Sequence, residues 1–146
     1  MTLFIFVLVL YNRLMTGDEK VKYWIELADD DIRTADVLFR NSIYLQCCFY
    51  CHQAVEKSTK AYYWRSKQAE PPYTHNIMRL ARLSGLLERC DDSKRDYIAL
   101  LSPLNTQIRY PEDKEHLSES MTLEKVRMIF EKAKEYVAWT RTFLMP

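Results

Sequence analysis

The segment from residue 42 to residue 67 constrains the fold most strongly, because its pattern predicts a single long helix. Apolar side chains recur there at the three- and four-residue spacing that places them on one helical face. The stretch contains neither glycine nor proline, and Ser42 stands near the expected N-cap. The prolines of "EPPY" at 70 to 73 are expected to end the helix, since proline cannot continue it.

The rest of the chain predicts further helices and no internal linker. Its 146 residues include 2 glycines and 5 prolines, which favours long helices over many short strands. Helical spacing recurs in 21 to 40, 75 to 88, 92 to 107 and 123 to 144, whereas "RYPEDKEHLSESM" from 109 is polar and predicted to be irregular. We expect His75 to cap the third helix, the alternative being that it contacts a ligand. Ser120 or Thr122 is expected to cap the last helix, whose buried face begins at Leu123. The sequence therefore predicts one all-α domain over 21–146, a bundle of four or five helices.

The first 20 residues are predicted to be a tail outside this domain. Their apolar run, "MTLFIFVLVLY", is shorter than the roughly 20 residues that a membrane span needs. A signal peptide needs a basic segment before the run and a small-residue cleavage site, and neither is present. Two interpretations stay open: residues 1–14 are an extension from an upstream start codon, or they form a strand or helix that packs on a partner. We expect a cytoplasmic chain with no membrane span, and its net charge of +1 gives no overall attraction to polyanions.

The pattern "CFYCH" at 48 to 52 has the spacing of a covalent haem attachment, with Cys48, Cys51 and His52 as the expected groups. It lies within the predicted long helix, where Cys51 falls on the buried face while Cys48 and His52 fall on flanking faces. A zinc site needs a second pair of ligands, and Cys90 stands alone. We therefore expect reduced thiols that pack between helices, with neither a metal nor another cofactor.

Polar residues on two predicted helices are candidates for a binding site. Asp31 lies on the apolar stripe of its helix, where it either finds a partner or tips outward, since an unpaired buried carboxylate is costly. The long helix carries a polar seam made of Gln53, Glu56, Lys57 and Lys60. Glu56 and Lys60 have the i, i+4 spacing of a structural ion pair. The alternative is that Lys57 and Lys60 contact a phosphate group.

Four motifs in order along the chain resemble those of the HEPN domain family (higher eukaryotes and prokaryotes nucleotide-binding). They are "WIELADDDIRTADVLF" on the first helix, "HQAVEKSTKAYYW" on the second, "THNIMRLARL" after it, and "IRYPED" at 108 to 113. Together they span about residues 21 to 143. The resemblance implies an antiparallel helical bundle that is commonly a homodimer. It also implies either a metal-independent ribonuclease, often a toxin partnered by a nucleotidyltransferase-fold antitoxin, or a nucleotide-binding or accessory domain.

The nuclease motif of this family is an arginine followed by a histidine after four to six residues, and Arg109 and His116 are separated by six. The resemblance makes these two the expected catalytic pair, because a histidine can move a proton of a ribose 2′-hydroxyl and an arginine can neutralise the phosphate. Tyr110, which we count with the binding residues, stands where active members often carry a polar residue. The alternative is that Arg109 pairs with a buried acid, Asp31 or Glu56, and that His116 is merely exposed. The function therefore stays open between an RNA- or nucleotide-directed domain with ribonuclease activity and a non-catalytic dimeric module that binds a mononucleotide or a partner protein.

Overall fold

A computed structural model describes residues 2–108 and 110–145 of the chain, without the side chains of 11–14, 111, 113 and 114. Its helices are α1 (Leu3–Leu14), α2 (Gly17–Arg40), α3 (Tyr44–Lys67), α4 (Ile77–Ser84), α5 (Asp92–Leu101), α6 (Leu104–Gln107), α7 (Pro111–Ser120) and α8 (Leu123–Arg141), with a 3₁₀ turn at Leu87–Arg89. These residues include no strand, and the predicted all-α bundle is confirmed.

Helices α2 and α3 form a hairpin that organises the bundle. Three residues connect them, and Ser42 adopts a left-handed backbone conformation there, with a φ of 61°. Ser42 stands beside the N-cap position but does not cap α3, because that position is held by Ile43, whose side chain makes no capping hydrogen bond. Helix α3 ends at Lys67, where Gln68 is also left-handed, with a φ of 51°. The helix therefore ends before the prolines that the sequence suggested as its terminators.

Helix α3 is the central element, since it packs against α2, α4 and α8. Its buried residues consequently lie on more than one face, as expected of a helix with neighbours around it. Cys47, Cys48 and Cys51 are fully buried, and so are Ala54 and Val55. The prediction that Cys48 lies on a flanking face is wrong, because α8 and α2 cover α3 more widely than one apolar stripe indicates.

Three local predictions after α3 are corrected by the structure. The stretch predicted to be irregular contains α7, which begins with proline in its first turn, where the missing N–H costs no hydrogen bond. Asn76, rather than His75, caps α4 by accepting a hydrogen bond from the Arg79 N–H. Leu123 is 46% exposed and therefore does not begin the buried face of α8, although the predicted cap, Thr122, accepts from the Lys125 N–H.

Helix α1 stands apart from this arrangement. The apolar side chains at 3–10 are between 41% and 79% exposed, and α1 does not pack extensively on the other described helices. Within the described residues, no helix combines the length and the apolar character required to cross a membrane.

Candidate functional site

A buried ion pair joins the middle of α2 to α3. The Nζ atom of Lys57 lies 2.7 Å from Oδ2 of Asp31, and the Asp31 side chain is 10% exposed. Burial raises the pKa of the Asp31 carboxyl above its ordinary value, while the hydrogen bond and charge of Lys57 act in the opposite direction. Asp31 therefore points inward and pairs across the hairpin, which excludes the alternative that it tips into solvent.

Glu56 forms a second and more deeply buried centre on α3. Its side chain is 4% exposed, and Nζ of Lys60 lies 2.8 Å from Oε1. Nδ1 of His75, from the loop before α4, lies 3.1 Å from Oε1 and 3.3 Å from Oε2. Nδ1 of the fully buried His52 lies 3.7 Å from Oε2. One carboxylate thus gathers an ammonium group and two imidazoles, and the predicted i, i+4 pair of Glu56 and Lys60 is confirmed.

Aromatic rings flank this centre. The Lys60 ammonium lies 5.0 Å from the centroid of the Trp24 ring, within the range of a cation–π contact. The ring of Tyr73 meets that of His75 edge to face, with centroids 5.9 Å apart. Tyr73 is 96% exposed, so this side of the centre opens to solvent.

Gln53, one turn before Glu56, belongs to the same row of α3. It is half-buried, and its Oε1 atom is buried without a hydrogen-bond partner among the described residues. Gln53 therefore lies on the predicted polar seam. Its Oε1 atom accepts no hydrogen bond from the described residues of the two ion pairs.

The thiols of the haem-like pattern pack in the core. Burial raises the pKa of Cys48 to about 12. The hydrogen bond with the Cys47 thiol and burial raise the pKa of Cys51 well above its ordinary value. His52 is buried as well, so its predicted position on a flanking face is wrong. The described residues contain no group of three or more His, Cys, Asp or Glu side chains placed to hold a metal ion.

The second predicted region lies at α6 and α7. His116 is exposed on α7 and borders a shallow depression of about 200 Å³ with Gln107, Leu117 and Ser120. Tyr110 precedes α7 and is 53% exposed. Arg109 lies outside the described residues. No hydrogen bond or ion pair between described residues joins this region to Asp31 or Glu56.

The structure therefore divides the predicted site residues into two sets. It brings together Asp31, Glu56, Lys57 and Lys60, and it places Tyr110 and His116 elsewhere. Sequence reasoning missed the part played by His75, because a residue in a loop has no helical spacing that would link it to Glu56. The one available signal was its position three residues after the double proline, where the chain turns back along α3.

These features define a class of domain: an all-helical bundle built around a long central helix that carries an ion-paired seam. The model of the HEPN domain family matches residues 21–143, so the chain belongs to this family. None of the curated proteins compared with the chain matches it significantly.

Two solved structures are similar to the chain in fold. The protein TT1696 from Thermus thermophilus superimposes with a TM-score of 0.71 at 20% identity, over 85% of this chain and 98% of that one. The archaeal HEPN homologue ST0689 superimposes with a TM-score of 0.60 at 18% identity, over 86% of this chain and 98% of that one. At this level of identity the similarity shows the fold alone.

Proposed function

We propose that the chain is an RNA-directed HEPN domain that cleaves RNA without a metal ion, with His116 and Arg109 as the catalytic pair. The observation that carries this proposal is the state of the three histidines. His52 is fully buried, and His75 is held by Glu56. His116 is exposed and forms no hydrogen bond or ion pair with another described residue, so its imidazole is available to a ligand.

The chemistry requires one group that moves a proton and one that carries positive charge. In cleavage, the ribose 2′-oxygen attacks the adjacent phosphorus, and the bond from phosphorus to the 5′-oxygen breaks. His116 takes the 2′-hydroxyl proton or supplies one to the leaving oxygen. Arg109 stabilises the added negative charge on the phosphate by charge-assisted hydrogen bonds.

The lysines of α3 contribute little to phosphate binding under this proposal. The ammonium group of Lys57 is paired with Asp31, and that of Lys60 with Glu56. Their side chains are 23% and 12% exposed, so a phosphate would have to displace a buried carboxylate to reach either one. The alternative that these lysines are structural is therefore favoured, and RNA contact is assigned to the α6–α7 region.

Cleavage of single-stranded RNA in the presence of EDTA tests the proposal. We expect the His116→Ala variant to lose about 100- to 1,000-fold in rate, because general acid–base catalysis contributes on this order. An Arg109→Ala variant should lose activity as well, whereas Ser118→Ala, an exposed and uncharged change on the same helix as His116, should not. Growth arrest on expression should follow the same order. Equal cleavage by the wild type and His116→Ala would remove the catalytic assignment.

A second candidate function is a non-catalytic dimeric module that binds a mononucleotide or a nucleotidyltransferase-fold partner, as in a toxin–antitoxin pair. The acidic surface of α7 favours it, because Glu112, Glu115 and Glu119 are exposed around His116 and oppose a polyanion. Titration with ATP and with short RNA at several salt concentrations separates the two functions. Tight ATP binding without turnover supports the module, and RNA binding that weakens steeply with salt supports the nuclease.

A homodimer is part of the first proposal, since it would place His116 and Arg109 of both protomers at one shared cleft. Sedimentation of the full chain measures the assembly, and a structure of the dimer shows where α7 lies. A strictly monomeric chain that still cleaves RNA would contradict the shared cleft while leaving the catalytic pair intact.

A further inference from the structure

Helix α1 exposes apolar side chains on every side. Residues 3–10 are all Leu, Phe, Ile or Val, and the least exposed of them, Val9, is still 41% exposed. Because this stretch covers more than two helical turns, none of its faces is polar. A helix that is apolar all round is normally enclosed by neighbours. Helix α1 therefore requires a partner surface that covers more than one of its faces.

A groove along the start of α2 offers an apolar surface of suitable size. It has a volume of about 490 Å³ and lies between the first turns of α2 and the segment that follows α8. Its apolar lining consists of Val21, Ile25, Leu144 and Met145. This volume falls within the range of about 300–1,000 Å³ that is typical of clefts that bind ligands. Apolar side chains from another molecule can therefore enter the groove.

The charges on the rim of this groove favour an uncharged occupant. Each cation that lines it is paired with an acid: Lys22 with Glu26, Arg65 with Asp18, and Arg141 with Asp29. These charges sum to zero, so the rim offers little net attraction to an anionic ligand. Residues 3–10 carry no charged side chain. The apolar run of α1 thus complements the groove in both polarity and charge.

The connection between α1 and α2 directs α1 away from the groove of its own copy. Two residues, Met15 and Thr16, form this connection, and both have extended backbones. Extended residues carry the chain onward instead of turning it back. The Thr16 side chain also caps α2 by accepting a hydrogen bond from the Glu19 N–H, which fixes where α2 begins. Because the groove follows the first turns of α2, the helix that fits it comes from another copy.

We propose that two copies of the chain associate reciprocally, with α1 of each copy lying in the groove of the other. Such a twofold arrangement uses the same two surfaces on both copies. It also brings the two α1 helices together across the symmetry axis, so each is covered on more than one face. The groove shares no lining residue with the depression at His116. This interface is therefore independent of the cleft proposed for RNA cleavage, and either proposal can fail without the other.

Sedimentation of full-length chains over a range of concentrations tests this interface. Phe6→Glu changes α1 and Met145→Glu changes the groove, and both side chains are more than 50% exposed, so the variants should fold normally. Each change should weaken self-association about tenfold or more, because it places a charge against apolar side chains without a partner. A mixture of the two should associate more strongly than either variant alone. In that mixture, the intact helix of Met145→Glu meets the intact groove of Phe6→Glu.

The controls separate this interface from other modes of association. A chain with both changes gives the baseline for any assembly made through α7. Tyr73→Glu alters a 96% exposed side chain that does not line the groove, so it should associate as the wild type does. Added salt should not weaken the association, since no net charge attracts the two surfaces.

Three results would overturn the proposal. The first is a mixture that associates no more strongly than its components, and the second is wild-type association of Met145→Glu. The third is transfer of the wild-type chain onto phosphatidylcholine vesicles in place of self-association, which would show that lipid covers α1 instead of a second copy.

Discussion

At the scale of single residues, the pair formed by Asp31 and Lys57 shows how burial and charge oppose each other. Burial disfavours the ionised carboxylate, whereas the ammonium group 2.7 Å away favours it. Burial is the larger effect, so the pKa of Asp31 is raised in the folded chain. The pair thus aligns α2 on α3, but its ionised carboxylate is held less favourably than it would be in water.

This raised pKa predicts how stability changes with pH. Because the folded chain holds the Asp31 proton more tightly than the unfolded chain, the free energy of unfolding falls as pH rises from the unfolded pKa, about 3.9, through the folded one. An Asp31→Asn variant lacks this contribution. We therefore expect the stability of the wild type relative to Asp31→Asn to decrease as pH rises through that interval and then to level off.

Urea unfolding of both chains at a series of pH values measures the effect. Ser66→Ala, an exposed change on α3 that removes no titratable group, is the control and should show no such decrease. A relative stability that rises with pH over the same interval would mean that Lys57 outweighs burial and that the pKa of Asp31 is lowered.

At the scale of elements, the helices that could be predicted from sequence are those with an apolar face. Helices α2, α3 and α8 pack along their length, so burial imposed the periodic pattern that reveals them. Helix α7 is polar on its exposed faces, and packing therefore left no periodic signal there. Asp31 could be predicted as a candidate because it interrupts an apolar row, and Glu56 and Lys60 because they follow one helical row. The approach of His75 to Glu56 could not be predicted, because it depends on the path of a loop.

The ends of α3 and α4 give an element-scale prediction about backbone conformation. Both C-cap residues are left-handed, but Gln68 carries a side chain whereas Gly85 does not. Glycine adopts this conformation without steric cost, so Gln68→Gly should raise the free energy of unfolding by about 0.5 kcal/mol after the added chain entropy is subtracted. Gly85→Ala should lower it by about 1 kcal/mol.

Urea unfolding measures both changes. The two variants are informative together because their free energies of unfolding are expected to change in opposite directions. The space around Gly85 accepts a methyl group, with the nearest atom 3.8 Å away, so any loss there comes from the backbone. If Gln68→Gly destabilised the chain instead, the hydrogen bond from the Gln68 side chain to the Arg65 carbonyl would be contributing more than the backbone strain costs.

At the scale of the whole molecule, the chain consists of a packed helical domain and an exposed apolar helix. The HEPN match covers residues 21–143, and α1 lies before it. The boundary at residue 20 stays a prediction. It falls inside α2, where Lys20 and Val21 are both already buried. A contiguous set of exposed apolar side chains is a surface that associates, whether with a second copy or with another partner.

Removal of residues 1–14 tests this division. Helix α1 makes no extensive contacts with the other described helices. The free energy of unfolding in urea of a chain that begins at Met15 should therefore lie within about 0.5 kcal/mol of that of the full chain. It should also bind less of a dye that reports exposed apolar surface, and it should associate less as concentration rises. A full-length chain with Phe4→Glu and Phe6→Glu, both more than 50% exposed, is the matched control and should behave like the truncated chain. A loss of several kcal/mol on truncation, with the glutamate variant unaffected, would place α1 within the folded domain and contradict the predicted boundary.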